Sequence, residues 1–69
     1  SMTDLDTMTV LRMASRIRGS QILLRQAKEE RDEAIREAYE AGCTLQFIAK
    51  ELGTNHSSVI YRLKKMGLR

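Results

Sequence analysis

Apolar side chains recur with helical spacing near the C-terminal end of the chain. The spacing i, i+3, i+4, i+7 is the stripe of an amphipathic helix, and it is occupied by Leu45, Ile48, Ala49 and Leu52. Thr44 precedes the stripe as a good N-cap, and Gly53 follows it where a helix favours a residue without a Cβ. The pattern predicts a short helix that begins after Thr44 and ends in a tight turn at Gly53.

A second short helix is predicted directly after this turn. Asn55 is its expected N-cap, and the apolar period continues through Val59, Ile60, Leu63 and Met66. The small side chain of Ala49 allows the second helix to cross the first closely, whereas a larger one should push them apart.

The segment Lys28 to Glu40 has the strongest helix propensity in the chain. Its apolar face is expected to support the two later helices, and it consists of Ala34, Ile35, Ala38 and Tyr39. Tyr39 is expected in the core with its hydroxyl at the edge, and base stacking is the alternative role. Asp32 and Arg36 have the i, i+4 spacing of a favourable ion pair, and Gly42 should end the helix.

Heptad spacing extends through the N-terminal part from a helix start near Asp6. One set of positions is Val10, Ile17, Leu24, Arg31 and Ala38, and its companion set is Met13, Ser20, Ala27, Ala34 and Ala41. An unbroken helix from Asp6 to Ala41 would be ~54 Å long and would need another chain for burial. Alternatively, the chain bends at Gly19 and Ser20 and folds back into a compact four-helix unit.

Composition agrees with helices. The 69 residues contain no Pro or Trp and few aromatic residues, which suits a core of aliphatic side chains and argues against strands. A chain this short buries only ~60% of its unfolded surface, so a partner subunit would help. We predict an all-α fold in which a long N-terminal helix, either continuous or broken near Gly19, precedes a three-helix unit with a helix-turn-helix arrangement. Residues 1–27 would support and dimerise the protein, and residues 28–69 would form that unit.

Charge is arranged in blocks along the chain, although the net charge is only +3. Five bases without an acid occupy residues 12–28, a block of net −4 occupies residues 29–40, and a block of net +4 occupies residues 44–69. Bases next to the last predicted helix are what a nucleic-acid interface requires, although a solvated helix surface has the same composition. The role of the N-terminal arginines stays undecided.

The order and spacing of residues in the C-terminal half resemble those of a homeodomain-like helix-turn-helix. This class is found in resolvases, invertases and many small bacterial and phage regulators. The resemblance covers Arg36 to about Leu68, and it is carried by Ile48-Ala49, Leu52-Gly53, Ser57-Ser58-Val59 and Arg62-Leu63-Lys64-Lys65. The family commonly has an apolar residue where this chain has Thr54. The resemblance implies that a recognition helix, Asn55 to Met66, lies in the major groove of DNA.

Individual roles follow from that resemblance. The residues expected to face base edges are His56, Ser57 and Tyr61, and those expected to contact phosphates are Thr44, Gln46, Asn55, Arg62, Lys64 and Lys65. Thr44 and Asn55 also serve as caps, and His56 has the alternative of an ordinary surface residue. For Arg62, an ion pair with Glu51 is the alternative to a phosphate contact.

Other chemistries find no support in the sequence. There is no glycine-rich phosphate loop, no set of catalytic partners and no second histidine beside His56, so we expect neither an enzyme nor a metal, cofactor or small-molecule site. Cys43 is alone and is expected to be a small apolar residue near a helix end. No membrane span or signal segment is recognisable, so a cytoplasmic, nucleoid-associated protein is expected.

The predicted function is sequence-specific binding of double-stranded DNA by a homodimer joined through its N-terminal helix. The protein would act as a bacterial or phage transcriptional regulator or as a recombination accessory factor. The alternatives are a protein-interaction module, in which the heptads bind a partner coiled coil, and a nonspecific DNA-coating protein.

Overall fold

Three α-helices make up the computed structural model, which describes residues 4–69. They are α1 (Thr7–Glu40), α2 (Leu45–Leu52) and α3 (His56–Lys65), and no strand occurs among the described residues. The predicted all-α fold is therefore confirmed. The first three residues of the predicted N-terminal segment 1–27 lie outside the described part.

Helix α1 begins where the sequence predicts. The Asp6 carboxylate accepts hydrogen bonds from the backbone N–H of Thr9 at 2.7 Å and from its hydroxyl at 3.0 Å. These hydrogen bonds lower the pKa of Asp6, because they stabilise the charged carboxylate. Asp6 therefore fixes the first turn of a helix that continues for 34 residues.

The helix does not bend at Gly19. It passes through Gly19 and Ser20 without interruption, and the Ser20 hydroxyl donates to the carbonyl oxygen of Arg16 at 3.0 Å. A single glycine costs a helix only ~1 kcal/mol, which the surrounding helix-forming residues offset. The fold-back alternative with four helices is therefore wrong, and the predicted support helix from Lys28 to Glu40 is the C-terminal part of α1.

The core lies at the C-terminal end of this long helix. The buried residues are Ile35 from α1, Ile48 and Ala49 from α2, and Val59 and Leu63 from α3. Ala38, Tyr39, Cys43, Leu45, Met66 and Leu68 pack around them. Two residues of the predicted apolar stripes are less buried than the core: Ile60 is half-buried, and Leu52 is exposed. Ala34, also predicted on the supporting face, is exposed as well.

The N-terminal two thirds of α1 extend beyond this core. Within α1, only Ile35 is fully buried. The described chain is therefore elongated and measures 55 × 19 × 18 Å. Large apolar side chains remain exposed along the extension, including Ile17 at 63% and Leu23 at 67%. The structure thus consists of a small C-terminal three-helix core, completed by the end of α1, and the remainder of α1, which projects from it with apolar side chains exposed.

Candidate nucleic-acid interface

The turn between α2 and α3 is set by backbone hydrogen bonds at the end of α2. The N–H of Thr54 donates to the carbonyl oxygen of Ala49 at 2.9 Å, and that of Gly53 donates to Lys50 at 3.1 Å. Together they form a Schellman motif, which needs a left-handed residue at the position of Gly53. Gly53 has φ 68°. Thr54, where the resembled family is commonly apolar, is exposed, so an apolar side chain is not required there.

Both predicted N-caps are confirmed. The Thr44 hydroxyl oxygen accepts a hydrogen bond from the N–H of Phe47 at 3.1 Å, and the Asn55 side-chain oxygen accepts one from Ser58 at 2.9 Å. The Thr44 hydroxyl can still donate its proton to a second partner, and the Asn55 amide NH₂ can donate as well. Capping and a phosphate contact are therefore compatible at both residues.

Helix α3 has one face in the core and the opposite face in solvent. Val59 and Leu63 are completely buried, at 0% exposure, which fixes the helix on α1 and α2. The residues on the outer side are Ser57, Tyr61, Lys64 and Lys65, and all four are exposed. Because they recur at helical spacing, they share one surface. We call these four residues the outer face of α3.

Two members of the outer face contact each other. The Lys65 Nζ lies 5.3 Å from the centroid of the Tyr61 ring, which is a cation–π geometry. The Tyr61 side chain nevertheless remains 60% exposed. This contact places a positive charge beside a hydroxyl-bearing ring on the same exposed surface. The sequence predicted both residues at the interface but not their contact.

His56 lies on a different side from the centre of the outer face. It borders an open depression between α2 and the start of α3, together with Gln46, Lys50, Thr54 and Asn55. The structure therefore brings together His56, Gln46 and Asn55, three of the residues predicted for DNA contact. His56 is adjacent to Ser57 in the chain but borders this depression, and Lys50, which was not among the predicted contacts, lines it as well.

Arg62 pairs with α1 rather than with α2. Its guanidinium Nη1 lies 3.9 Å from the Asp32 Oδ1 atom, and Arg31 lies 3.2 Å from the same oxygen. The Glu51 alternative is therefore wrong, because the packing of α3 places Arg62 over α1. The predicted pair of Asp32 and Arg36 is also wrong, since Arg36 contacts Glu33 at 3.7 Å instead.

A basic cleft between α1 and α3 was missed by the sequence interpretation. Its charged lining consists of Lys28, Arg31, Arg62 and Lys65 around Asp32. Four cations surround one carboxylate, so the cleft attracts anions. The available signal was the i, i+3, i+7 spacing of Lys28, Arg31 and Ile35, which places the two bases on the core-facing side of α1. Their proximity to α3 depends on the tertiary packing.

Metal-ligand clusters and membrane-spanning helices are absent from residues 4–69. No group of three or more potential metal ligands occurs there, and none of the described helices has both the length and the apolar character to cross a membrane. Cys43 is a free, half-buried thiol next to the core, as expected for a small apolar residue at a helix end.

Comparison with known proteins identifies no relative of this chain. No protein-family model matches the chain, and no curated protein or solved structure matches it.

Proposed function

We propose that this protein binds double-stranded DNA in a sequence-specific manner, with α2 and α3 acting as a helix-turn-helix. Helix α3 would lie in the major groove, which is ~12 Å wide and admits one α-helix. In this role the protein is a bacterial or phage transcriptional regulator or a recombination accessory factor.

The observation that carries the proposal is the outer face of α3. A short helix is anchored by two fully buried side chains, Val59 and Leu63, and its opposite surface carries only hydroxyl and ammonium groups around one aromatic ring. Hydroxyl groups can donate to or accept from base edges, and ammonium groups bind phosphates. Rigid presentation of such groups is what base recognition requires.

Phosphate contacts are proposed on both sides of α3. On one side lie Thr44 and Gln46 at the start of α2, where free backbone N–H groups favour an anion. On the other side lies the basic cleft, in which Arg62 shares the Asp32 carboxylate with Arg31. Since one carboxylate cannot neutralise both guanidinium groups, positive charge remains for a phosphate. Lys28 and Arg31 thereby join the predicted contacts Arg62 and Lys65.

Selection from a random duplex pool at near-physiological salt tests the proposal. The wild-type chain should enrich a motif, and the double variant Ser57→Ala, Tyr61→Ala should lose ~1–3 kcal/mol of discrimination per lost base contact. Ser15→Ala is the matched control, because Ser15 is exposed on α1 away from α3. Equal enrichment by the double variant and the control would remove Ser57 and Tyr61 from base recognition.

Lys64 provides a second prediction, which concerns affinity rather than specificity. Lys64→Ala should weaken binding to all duplexes alike and should reduce the slope of log K against log salt by ~1, because one fewer counterion is released. The slope is measured by fluorescence anisotropy titrations at several salt concentrations. Arg18→Ala, which removes an equal charge from exposed α1, should leave the slope unchanged; an equal reduction in both variants would indicate a general charge effect.

The competing functions give different results in the same selection. A nonspecific DNA-coating protein would retain DNA without enriching a motif. A protein-interaction module, which the exposed apolar residues of α1 favour, would retain no DNA even at low salt.

A further inference from the structure

The projecting part of α1 requires a partner on physical grounds. Most of the stability of a helix in a protein comes from packing of its apolar face, and residues 7–27 contribute no buried side chain to the core. Apolar residues along one seam of this part are exposed, with Ile17 at 63% and Leu24 at 49%. An exposed apolar surface of this length is typical of an interaction site.

We propose that a second copy of this chain covers the seam, and that the two α1 helices pair in antiparallel orientation. The seam consists of the heptad positions Val10, Ile17, Leu24, Arg31 and Ala38 and their companions Met13, Ser20, Ala27, Ala34 and Ala41. The two halves of the seam differ in size. Large apolar side chains occupy the N-terminal half, and alanines occupy most of the C-terminal half.

Antiparallel pairing matches large side chains with small ones. When Leu24 of one copy faces Ala27 of the other, the same register places Ile17 opposite Ala34. Val10 then faces Ala41, and Met13 faces Ala38. Position 31 lies opposite Ser20 in this register, while the Arg31 guanidinium stays in the basic cleft beside Asp32. Alternation of large and small residues fills an interface without voids.

Parallel pairing in register lacks this complementarity. Each seam residue would face its own copy, so the large side chains of the N-terminal half would meet one another. Alanine would face alanine at positions 27, 34, 38 and 41, which leaves that half poorly filled. The seam therefore selects the antiparallel arrangement.

The charge blocks also favour the antiparallel arrangement. In the register given above, Arg16 of one copy lies beside Glu37 of the other at the edge of the seam, and symmetry forms this ion pair twice. In a parallel dimer, Arg16 would instead lie beside Gln21. Pairs of opposite charge at these flanking positions determine the orientation of coiled coils.

In this arrangement, α1 of the second copy passes over an apolar groove between α1 and α2 of the first copy. Its lining includes Ala34, Ala38, Phe47 and Leu52, and Phe47 remains 51% exposed in the single chain. Ile17 and Met13 of the second copy, which face Ala34 and Ala38, would fill this groove. The dimer would thus cover apolar residues of α2 that the core of one chain leaves exposed.

The register also predicts the spacing between the two DNA-binding units, a point that depends on the proposed function. The two-fold axis crosses α1 between positions 25 and 26, about ten residues before the core residue Ile35. At 1.5 Å per residue, the two cores lie ~30 Å apart along the helix pair. Successive half-sites on one face of DNA are ~34 Å apart, so a symmetric site of about that spacing should be selected.

Sedimentation equilibrium of the whole chain, without DNA, tests the pairing. The wild-type chain should be a dimer, and Ile17→Glu should raise the dissociation constant more than 100-fold by placing a carboxylate in the seam. Ile22→Glu is the matched control, because Ile22 is 48% exposed on the side of α1 away from the seam. A monomeric wild-type chain, or equal loss in both variants, would overturn the proposal.

A charge exchange tests the orientation in the same measurement. Arg16→Glu should weaken the dimer roughly tenfold, and adding Glu37→Arg to the same chain should restore it, since the two ion pairs form again with reversed signs. A parallel dimer would show no restoration, which would overturn the antiparallel arrangement. A dimer that binds no DNA would support the pairing and reject the proposed function, whereas a DNA-binding monomer would do the reverse.

Discussion

Leu63→Ala is expected to unfold the C-terminal three-helix core. Leu63 is completely buried where α3 meets the other two helices, and removal of a buried leucine side chain costs ~2–5 kcal/mol because a cavity replaces its contacts. A core with five buried residues has few other contacts to offset the loss. Amide hydrogen exchange would measure the loss of stability. The amides of α2 and α3 should lose most of their protection, while those of residues 7–27 should change little.

The control for this experiment is the same substitution at an exposed site. Leu11→Ala removes the same atoms from α1, where Leu11 is 56% exposed and lies off the heptad seam. Its effect on α3 protection should be within ~0.5 kcal/mol. Comparable losses in the two variants would mean that burial of Leu63 does not hold α3 in place.

Ala49→Leu should separate α2 from α3 and weaken DNA binding through the geometry of the fold. Ala49 is 5% exposed in the core, next to the turn that joins the two helices. A larger side chain forces neighbouring residues out of their positions, at a cost of ~1–3 kcal/mol. The variant should lower the free energy of unfolding in urea by this amount. It should also shift α3 relative to Lys28 and Arg31, so that base and phosphate contacts no longer form together.

Gln46→Leu provides the stability control for Ala49→Leu. It introduces the same side chain on α2 at an exposed position, so stability should change little. Its DNA affinity reports only on the predicted phosphate contact of Gln46. If Ala49→Leu left both stability and affinity unchanged, close packing of the two helices would not be what positions α3.

The local elements of this protein were predictable because their signals are local. Asp6, Thr44 and Asn55 each cap a helix with a side-chain oxygen three residues before the donor, and this spacing is visible in the sequence. The glycine at position 53 marks the end of α2 for a similar reason, since the left-handed backbone conformation there disfavours residues that carry a Cβ.

The candidate interface was predicted only in part. The exposure of Ser57, Tyr61 and Lys64 follows from the helical period that buries Val59 and Leu63. The pairing of Arg62 with Asp32 does not follow from this period, because the two residues are 30 positions apart and approach only when α3 packs on α1. A choice between partners for a long, flexible arginine side chain depends on helix packing, which a one-dimensional pattern does not contain.

The sequence by itself determined the all-α class, the caps Thr44 and Asn55, a helix start near Asp6, the turn at Gly53 and the division of α3 into a buried and a polar face. Each depends on residues within a few positions of one another, where spacing fixes geometry. The tertiary structure decided the rest. It made α1 continuous through Gly19, assigned Asp32 to Arg31 and Arg62, and brought Lys28 to the side of α3. These features depend on how distant segments share one small core, and that arrangement is set by packing rather than by local preference.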